Sequence, residues 1–233
     1  MGTPRDMLGE LSASLMCAEL GRLDLEISHL ERAGVDSFHF DVMDGHFAPN
    51  LALTPDIVAA LRPLSQLPFC THAMVENPEM WVEHLARAGT NVFVFHVEAT
   101  RYPRRLMKRI QDNGMTPGIA INPGTPVETL QSVADITYVL VMTVEPGYAG
   151  QDWITTSPAK VRAVTQLCGA ATSIAVDGHV DRITAPLLAE AGANVFVCGT
   201  GALFGGRHDV SDYKVSVDVM RGSVARVESQ KFQ

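Results

Sequence analysis

The sequence predicts a parallel (β/α)8 barrel, also called a TIM barrel, and three observations support this prediction. Eight β-rich runs alternate with eight segments of helical spacing, and no long linker interrupts them. Three helical segments end at an Ala-Gly pair, at 33–34, 88–89 and 191–192, and a β-rich run follows each pair closely. The length of 233 residues is near the short end for this fold, so we expect a single domain over 1–233 without insertions. A doubly wound parallel sheet is the alternative.

The first half of the chain alternates strands and helices at short intervals. Runs of β-branched and aromatic residues predict strands at 12–17, 37–43, 69–74 and 92–97. Apolar residues at helical spacing predict helices between these strands, at 23–30, 56–61 and 78–88. Pro78 is suited to the first turn of its helix, because proline lacks the N–H that would be unpaired there.

The second half continues the same alternation. Strands are predicted at 117–121, 136–142, 173–176 and 195–199. Helices are predicted at 104–113, 127–133, 161–167, 183–188 and 210–228. The stretch 143–157 is the longest polar, glycine-bearing segment of the chain, and we expect it to be a loop.

Composition excludes several classes of partner. The chain carries 18 basic and 26 acidic side chains, and its formal charge of −8 argues against nucleic acid or an anionic membrane as a partner. No apolar run approaches the roughly 18 residues that a membrane span needs. Residues 1–6 lack the pattern of a secretory signal, so we expect a cytoplasmic protein. Its widely spaced cysteines are expected to be reduced and buried, and they are Cys17, Cys70, Cys168 and Cys198.

Four metal-ligating side chains are predicted to meet at one end of the barrel. His39 and Asp41 share one face of the second strand, since side chains alternate along a strand. His72 lies on the third strand, and Asp177 follows the seventh. Barrel active sites lie at the carboxyl ends of the strands, and two imidazoles with two carboxylates suit a divalent cation such as zinc, iron, manganese or cobalt. Each residue alone would more often be an ordinary polar group of the rim or core.

Other residues at the same end of the barrel complete the predicted site. Glycine-rich turns follow the last three strands, at 146–151, 177–179 and 199–204, and the third could open a short helix that holds an anion. Any one of these turns alone would be an ordinary tight turn. His96 and Glu98 point toward the barrel centre and could support the metal ligands from behind. Methionines at strand ends are expected to line the pocket, and they are Met43, Met74 and Met142.

The scarcity of lysine argues against two classes of barrel enzyme. None of the four lysines is placed at a strand end, and they are Lys108, Lys160, Lys214 and Lys231. A Schiff-base aldolase needs a lysine at that position. Phosphate-binding barrel decarboxylases use an Asp-x-Lys-x-x-Asp strand, whereas residues 41–44 read Asp-Val-Met-Asp.

At the segments 39–47, 72–74, 141–147 and 176–178, the chain resembles the ribulose-phosphate 3-epimerase family, and the resemblance extends over about 12–204. It implies a barrel that inverts carbon 3 of a ketose phosphate with the help of one divalent metal ion. The family's metal ligands correspond to His39, Asp41, His72 and Asp177, and its acid/base pair to Asp41 and Asp177. The substrate contacts implied by the resemblance are Ser14, His72, Gly147, Ala149, Gly150, Gly178, His179, Gly199 and Thr200.

Several positions depart from the commonest family pattern and leave the substrate open. They are Cys17, Glu19, Ala73, Tyr148, Ala149, His179 and Thr200. Segments such as 14–17 and 149–151 look like the allulose-6-phosphate 3-epimerase branch, so ribulose 5-phosphate and allulose 6-phosphate are both candidates. His179 replaces a glycine, and it must therefore accept that glycine's backbone conformation. A metal-dependent aldolase or isomerase of another sugar phosphate, and a non-catalytic sugar-phosphate binder, are the alternatives. We also expect a homo-oligomer.

Overall fold

The computed structural model describes the backbone of residues 9–231 and the side chains of residues 9–225. Eight parallel strands pair in chain order, and the first strand pairs with both the second and the eighth. The sheet therefore closes on itself, which confirms the predicted (β/α)8 barrel and makes the doubly wound alternative wrong. The single domain over 1–233 stays a prediction, and the segment 1–6 lies outside the described residues.

The strands and helices alternate in the order that the sequence predicts. The strands are β1 Glu10–Ser14, β2 Ser37–Met43, β3 Phe69–Met74, β4 Val92–His96, β5 Thr116–Ile121, β6 Tyr138–Met142, β7 Ser173–Asp177 and β8 Val195–Cys198. The α-helices are α1 Leu23–Ala33, α2 Pro55–Leu61, α3 Val82–Ala88, α4 Pro103–Asp112, α5 Ser157–Cys168, α6 Thr184–Glu190 and α7 Val210–Lys231. None of the helices in this described part of the chain is long and apolar enough to cross a membrane.

Three predicted elements differ from the structure. The helix predicted at 78–88 begins as a 3-10 helix, Pro78–Trp81, and α3 follows it. The predicted strand at 12–17 is shifted, because β1 ends at Ser14 and a 3-10 turn, Leu15–Cys17, follows it. The predicted α-helix at 127–133 is a 3-10 helix, Val127–Val133. Its apolar residues Val127, Leu130 and Val133 recur every three residues, which is the period that places side chains on one face of a 3-10 helix.

The core has one layer outside the strands and another inside the barrel. On β2 the side chains of Phe38, Phe40 and Val42 join the large outer cluster that packs against the helices. The alternate residues, His39 and Asp41, face the interior and are also buried. This alternation directs the polar residues of β2 into the barrel, where they form part of the site described below.

The glycines at the helix-to-strand joints end their helices in a left-handed conformation, as predicted. Gly34 ends α1 with a φ of 97°, and Gly89 ends α3 with a φ of 89°. Their N–H groups bond back to carbonyls of the preceding helix, such as Leu30 O and Leu85 O, which is the usual left-handed helix end. The chain then enters the next strand within a few residues.

The cysteine prediction holds in part. All four thiols are free, and Cys70 and Cys198 are buried. The expectation of burial is wrong for Cys17 and Cys168, which are partly exposed. Cys17 lies at the mouth of the barrel, and Cys168 is the last residue of α5.

Candidate active site

The carboxyl ends of three strands bring the four predicted metal ligands together. His39 and Asp41 come from β2, His72 from β3 and Asp177 from β7. One donor atom of each residue lies within 4.8 Å of the donor atoms of the other three. The register of the sheet explains part of this proximity, because Asp41 and His72 are directly paired across β2 and β3. The predicted set of side chains therefore forms one compact cluster.

The nitrogen and oxygen atoms of the cluster face one another. His39 Nε2 lies 3.2 Å from Asp41 Oδ1 and 3.6 Å from Asp177 Oδ2. His72 Nδ1 lies 3.3 Å from Asp41 Oδ1 and 3.4 Å from Asp177 Oδ2. Both histidine side chains are fully buried, whereas Asp177 is 17% exposed and borders the cavity above. Two imidazole nitrogens and two carboxylate oxygens thus converge on one point.

The donor set fits a divalent cation. His39 Nε2 is buried and has no hydrogen-bond partner in the described structure, a condition that is costly for a polar atom. A cation coordinated at this point would satisfy that nitrogen together with the other three donors. Two imidazoles and two carboxylates are ligands that zinc, iron, manganese and cobalt accept.

The charges of the cluster are strongly coupled. Burial opposes ionisation of Asp41, but the positive charges of His39 and His72 and the hydrogen bond from His72 outweigh it and hold the pKa of Asp41 far below its usual value. Burial also opposes protonation of His39 and His72, yet the neighbouring Asp41 and Asp177 carboxylates raise the pKa of both imidazoles. The protonated imidazoles therefore balance the charge of the carboxylates, and a bound cation would take over that role.

A cavity of about 270 Å³ opens above this cluster. Asp41 and Asp177 reach its floor, while His39 and His72 lie beneath it. All three predicted pocket methionines line the wall, as do all predicted substrate contacts except His72. They are Met43, Met74, Met142, Ser14, Gly147, Ala149, Gly150, Gly178, His179, Gly199 and Thr200. Ser14 also donates a hydrogen bond from Oγ to Asp41 Oδ2 over 2.9 Å, which orients that carboxylate.

The loop after β7 has the tight geometry that its glycine suggests. Gly178 has a φ of 111°, and a Cβ at this position would lie 2.9 Å from the backbone nitrogen of Val144. His179 follows with a φ of 51°, so this histidine does accept the left-handed backbone. Its Nδ1 lies 2.7 Å from Gln151 O and joins the loop after β7 to the loop after β6.

Two further parts of the rim were only partly anticipated. The expected short helix after β8 is wrong, because residues 200–205 form turns closed by bonds from Ala202 and Leu203 to Gly199 O. The side chains lining the cavity include Cys17, Glu145 and Tyr148, none of which the sequence marked as a contact. Their contribution depends on how the loops fold over the barrel, which strand periodicity does not encode.

His96 lies behind the cluster, where the sequence placed it. Its Nε2 is 2.8 Å from His72 Nε2, and its Nδ1 is 3.3 Å from Glu98 Oε2. Burial lowers the pKa of His96 to about 4, despite the attraction of Glu98. His96 is therefore neutral at physiological pH.

The fold and the cluster together define a class of protein, namely a (β/α)8 barrel with a buried histidine–aspartate cluster, suited to a divalent cation, beneath a glycine-rimmed cavity. The chain belongs to the ribulose-phosphate 3-epimerase family, whose model matches residues 10–204. The predicted enzyme class, an isomerase, is thereby confirmed at the level of the family.

Two curated relatives illustrate the relationship. The chain is 38% identical over 219 residues to ribulose-phosphate 3-epimerase of Bacillus subtilis, covering 92% of this chain and 99% of the relative. It is 42% identical over 199 residues to ribulose-phosphate 3-epimerase of Rhodobacter capsulatus, covering 84% and 87%. Among solved structures, KGPDC from Streptococcus mutans superposes with a TM-score of 0.70 at 13% identity, covering 94% of this chain and 99% of that one, and shows the shared fold.

Proposed function

We propose that this protein is a metal-dependent 3-epimerase of a ketose phosphate. Its substrate pair is either D-ribulose 5-phosphate and D-xylulose 5-phosphate, or D-allulose 6-phosphate and D-fructose 6-phosphate. The observation that carries this proposal is the placement of two aspartates, Asp41 and Asp177, beside two buried histidines on the floor of one cavity. Relatives that share most of the chain are named ribulose-phosphate 3-epimerase.

The chemistry requires two proton-transfer groups. The C3 proton of a ketose is α to the carbonyl, and its removal gives a planar enediolate. Inversion at C3 then requires that a proton leave from one face of this intermediate and return on the other. Asp41 on β2 and Asp177 on β7 come from strands that are not neighbours, so they can approach the substrate from different sides. One carboxylate accepts the C3 proton, and the carboxyl group opposite donates one.

Residues around the aspartates prepare them for this task. The hydrogen bond from Ser14 holds Asp41 Oδ2 and leaves Oδ1 directed toward the histidines. The lowered pKa of Asp41 keeps this carboxylate ionised at neutral pH, which suits it to hold a cation. A divalent cation held by His39, Asp41, His72 and Asp177 would supply positive charge that stabilises the enediolate oxygens.

The phosphate end of the substrate is assigned to the loops after β7 and β8. The residues proposed to hold it are Gly178, His179, Gly199 and Thr200, with the loop residues Gly147, Ala149 and Gly150 closing over the sugar. No lysine or arginine lines the described cavity, so backbone N–H groups and the Thr200 hydroxyl would carry most of the anion binding. The methionines Met43, Met74 and Met142 form an apolar wall that can adapt to the substrate.

A parallel assay tests this proposal and selects the substrate. Purified, zinc-loaded protein is supplied with D-ribulose 5-phosphate in one reaction and D-allulose 6-phosphate in another, and formation of each C3 epimer is followed. Epimerisation of either substrate supports the proposal. The substrate with the higher kcat/KM is the preferred one. Carbon–carbon cleavage products would instead favour an aldolase, and binding without turnover would favour a sugar-phosphate binder. Cytoplasmic location and a homo-oligomeric state stay predictions.

A further inference from the structure

His72 is in contact with a second buried imidazole on the side away from the proposed cation. Its Nδ1 faces Asp41 and Asp177, whereas its Nε2 lies 2.8 Å from His96 Nε2. A hydrogen bond between two imidazole nitrogens requires that one carry the proton and the other offer a lone pair. The tautomer of His96 therefore decides which nitrogen of His72 has a lone pair.

Glu98 determines where His96 carries its proton. Glu98 Oε2 lies 3.3 Å from His96 Nδ1. Its other oxygen, Oε1, accepts hydrogen bonds from the backbone N–H of Asn122 over 2.8 Å and from the hydroxyl of Thr125. An ionised carboxylate can only accept hydrogen bonds, so His96 Nδ1 must be the donor. With its proton on Nδ1, His96 offers the lone pair of Nε2, which lies 2.8 Å from His72 Nε2 and accepts the proton of that nitrogen.

We propose that His96 and Glu98 are positioning residues that keep the proton of His72 on Nε2 and so reserve the Nδ1 lone pair for the cation. The inference rests on the metal site of the proposed function and adds to it two residues that do not touch the cation. Ligating histidines commonly donate their second N–H to a fixed acceptor, which sets the tautomer and strengthens the ligand. In this protein the acceptor is another imidazole, and a carboxylate fixes that imidazole in turn.

The surroundings hold this chain of hydrogen bonds in place. Lys160 on α5 donates to the carbonyls of Pro123 and Thr125, over 2.9 Å and 2.6 Å, and so holds the loop that binds Glu98. The ring of Phe47 packs against His96 with 4.5 Å between the ring centroids. His96 is fully buried, so bulk water does not compete for either of its nitrogens.

Glu98→Gln is the decisive variant, because it is nearly isosteric but carries a donor. The N–H of Asn122 requires an acceptor, so the amide oxygen of the new side chain would face Asn122 and its NH2 group would face His96 Nδ1. The proton of His96 would then move to Nε2, and the proton of His72 would move from Nε2 to Nδ1. We expect zinc affinity to fall by about 10–100-fold, the usual effect of losing such a partner.

Two measurements on purified protein test the inference. ¹⁵N chemical shifts of labelled histidine give the tautomer of His96, and competition with a chelating dye gives the zinc affinity. The expected results are an Nδ1–H tautomer in the wild type and an Nε2–H tautomer with weakened zinc binding in Glu98→Gln. Glu83→Gln is the matched control, because Glu83 pairs with Arg109 on the outer helices, and it should bind zinc like the wild type.

Thr125→Val is the milder second variant. It removes one hydrogen bond to Glu98 but keeps the carboxylate, so His96 should keep its wild-type tautomer. This variant gives a result even if Glu98→Gln fails to fold. An Nε2–H tautomer of His96 in the wild type, or wild-type zinc affinity in folded Glu98→Gln, would overturn the inference. A wild type that binds zinc with the expected tautomer but epimerises neither sugar phosphate would overturn the proposed reaction and leave the positioning role standing.

Discussion

Asp41 and His72 are paired across the adjacent strands β2 and β3, and Asp41 Oδ1 lies 3.3 Å from His72 Nδ1. Parallel strand register therefore sets the separation of two proposed ligands, without help from a loop. Sites built on strands hold their geometry more firmly than sites built on loops. Conservative substitutions within the cluster should accordingly change chemistry and metal binding while the barrel stays folded.

Asp177→Asn tests the assignment of one acid/base group. The amide is close in size to the carboxylate but cannot exchange a proton with C3, so kcat should fall by about 10²–10⁴-fold. The far-ultraviolet circular dichroism spectrum should match that of the wild type, because Asp177 is the last residue of β7 and borders the cavity. The measurement is the rate of epimer formation by zinc-loaded variant and wild type. A variant with wild-type turnover would remove Asp177 from the mechanism.

Metal removal should destabilise the protein in a way that depends on His39. A cation that binds only the folded state stabilises it by about 2.7 kcal/mol at a concentration 100-fold above its Kd. Chelation should therefore lower the Tm of the wild type, and added zinc should restore it. His39→Ala should show no zinc-dependent shift, whereas the control His84→Ala, on the exposed face of α3, should respond like the wild type. Equal responses of His39→Ala and the wild type would argue against the assigned ligands.

Gly178→Ala should weaken binding of the substrate phosphate more than Gly150→Ala does. Both glycines have positive φ, so both alanines carry backbone strain of about 1–3 kcal/mol. Only at position 178 would the new Cβ also collide, because it would lie 2.9 Å from Val144 N, whereas position 150 is open. Steady-state kinetics should show a larger KM increase for Gly178→Ala. The reverse order would mean that the loop after β6 dominates phosphate binding.

Protonation of Glu98 should lower the stability of the protein at acidic pH. Burial disfavours its charge, but hydrogen bonds from His96, Thr125 and Asn122 prevail and lower its pKa from 4.5 to about 2. A carboxyl group with a lowered folded-state pKa stabilises the protein above its unfolded pKa, and this contribution is lost as the pH falls toward the folded value. The difference in unfolding free energy between wild type and Glu98→Gln should thus shrink between about pH 5 and pH 3. Urea denaturation at the two pH values measures it, and a constant difference would contradict the assigned hydrogen bonds.

The sequence predicts the strands that carry the ligands better than it predicts their surroundings. The bounds of β2 and β3 agree with the predicted 37–43 and 69–74, because dense β-branched and aromatic runs mark both strands clearly. The 3-10 helix Val127–Val133 was predicted to be an α-helix, since over seven residues the two helical periods are hard to distinguish. Local patterns thus identify an element more reliably than its helical subtype.

The cluster was predictable because strand alternation and barrel topology bring its residues to one end. The tautomer chain from His72 to Glu98 was not predictable in full. It depends on the 3-10 turn Val97–Ala99, which directs Glu98 toward the loop after β5, and on donors at Asn122 and Thr125 that are distant in sequence. Side-chain directions of this kind follow from packing across several strands and cannot be derived from one segment.

Exchange of the substrate C3 proton with deuterated solvent tests the central claim most directly. Zinc-loaded wild-type protein in D2O should incorporate deuterium at C3 of D-ribulose 5-phosphate or D-allulose 6-phosphate, and nuclear magnetic resonance would show loss of the C3–H signal. Protein stripped by a chelator should lose this exchange and regain it with added zinc. Absence of C3 deuteration of both substrates by folded protein loaded in turn with zinc, iron(II), manganese and cobalt would contradict the assignment as a metal-dependent 3-epimerase.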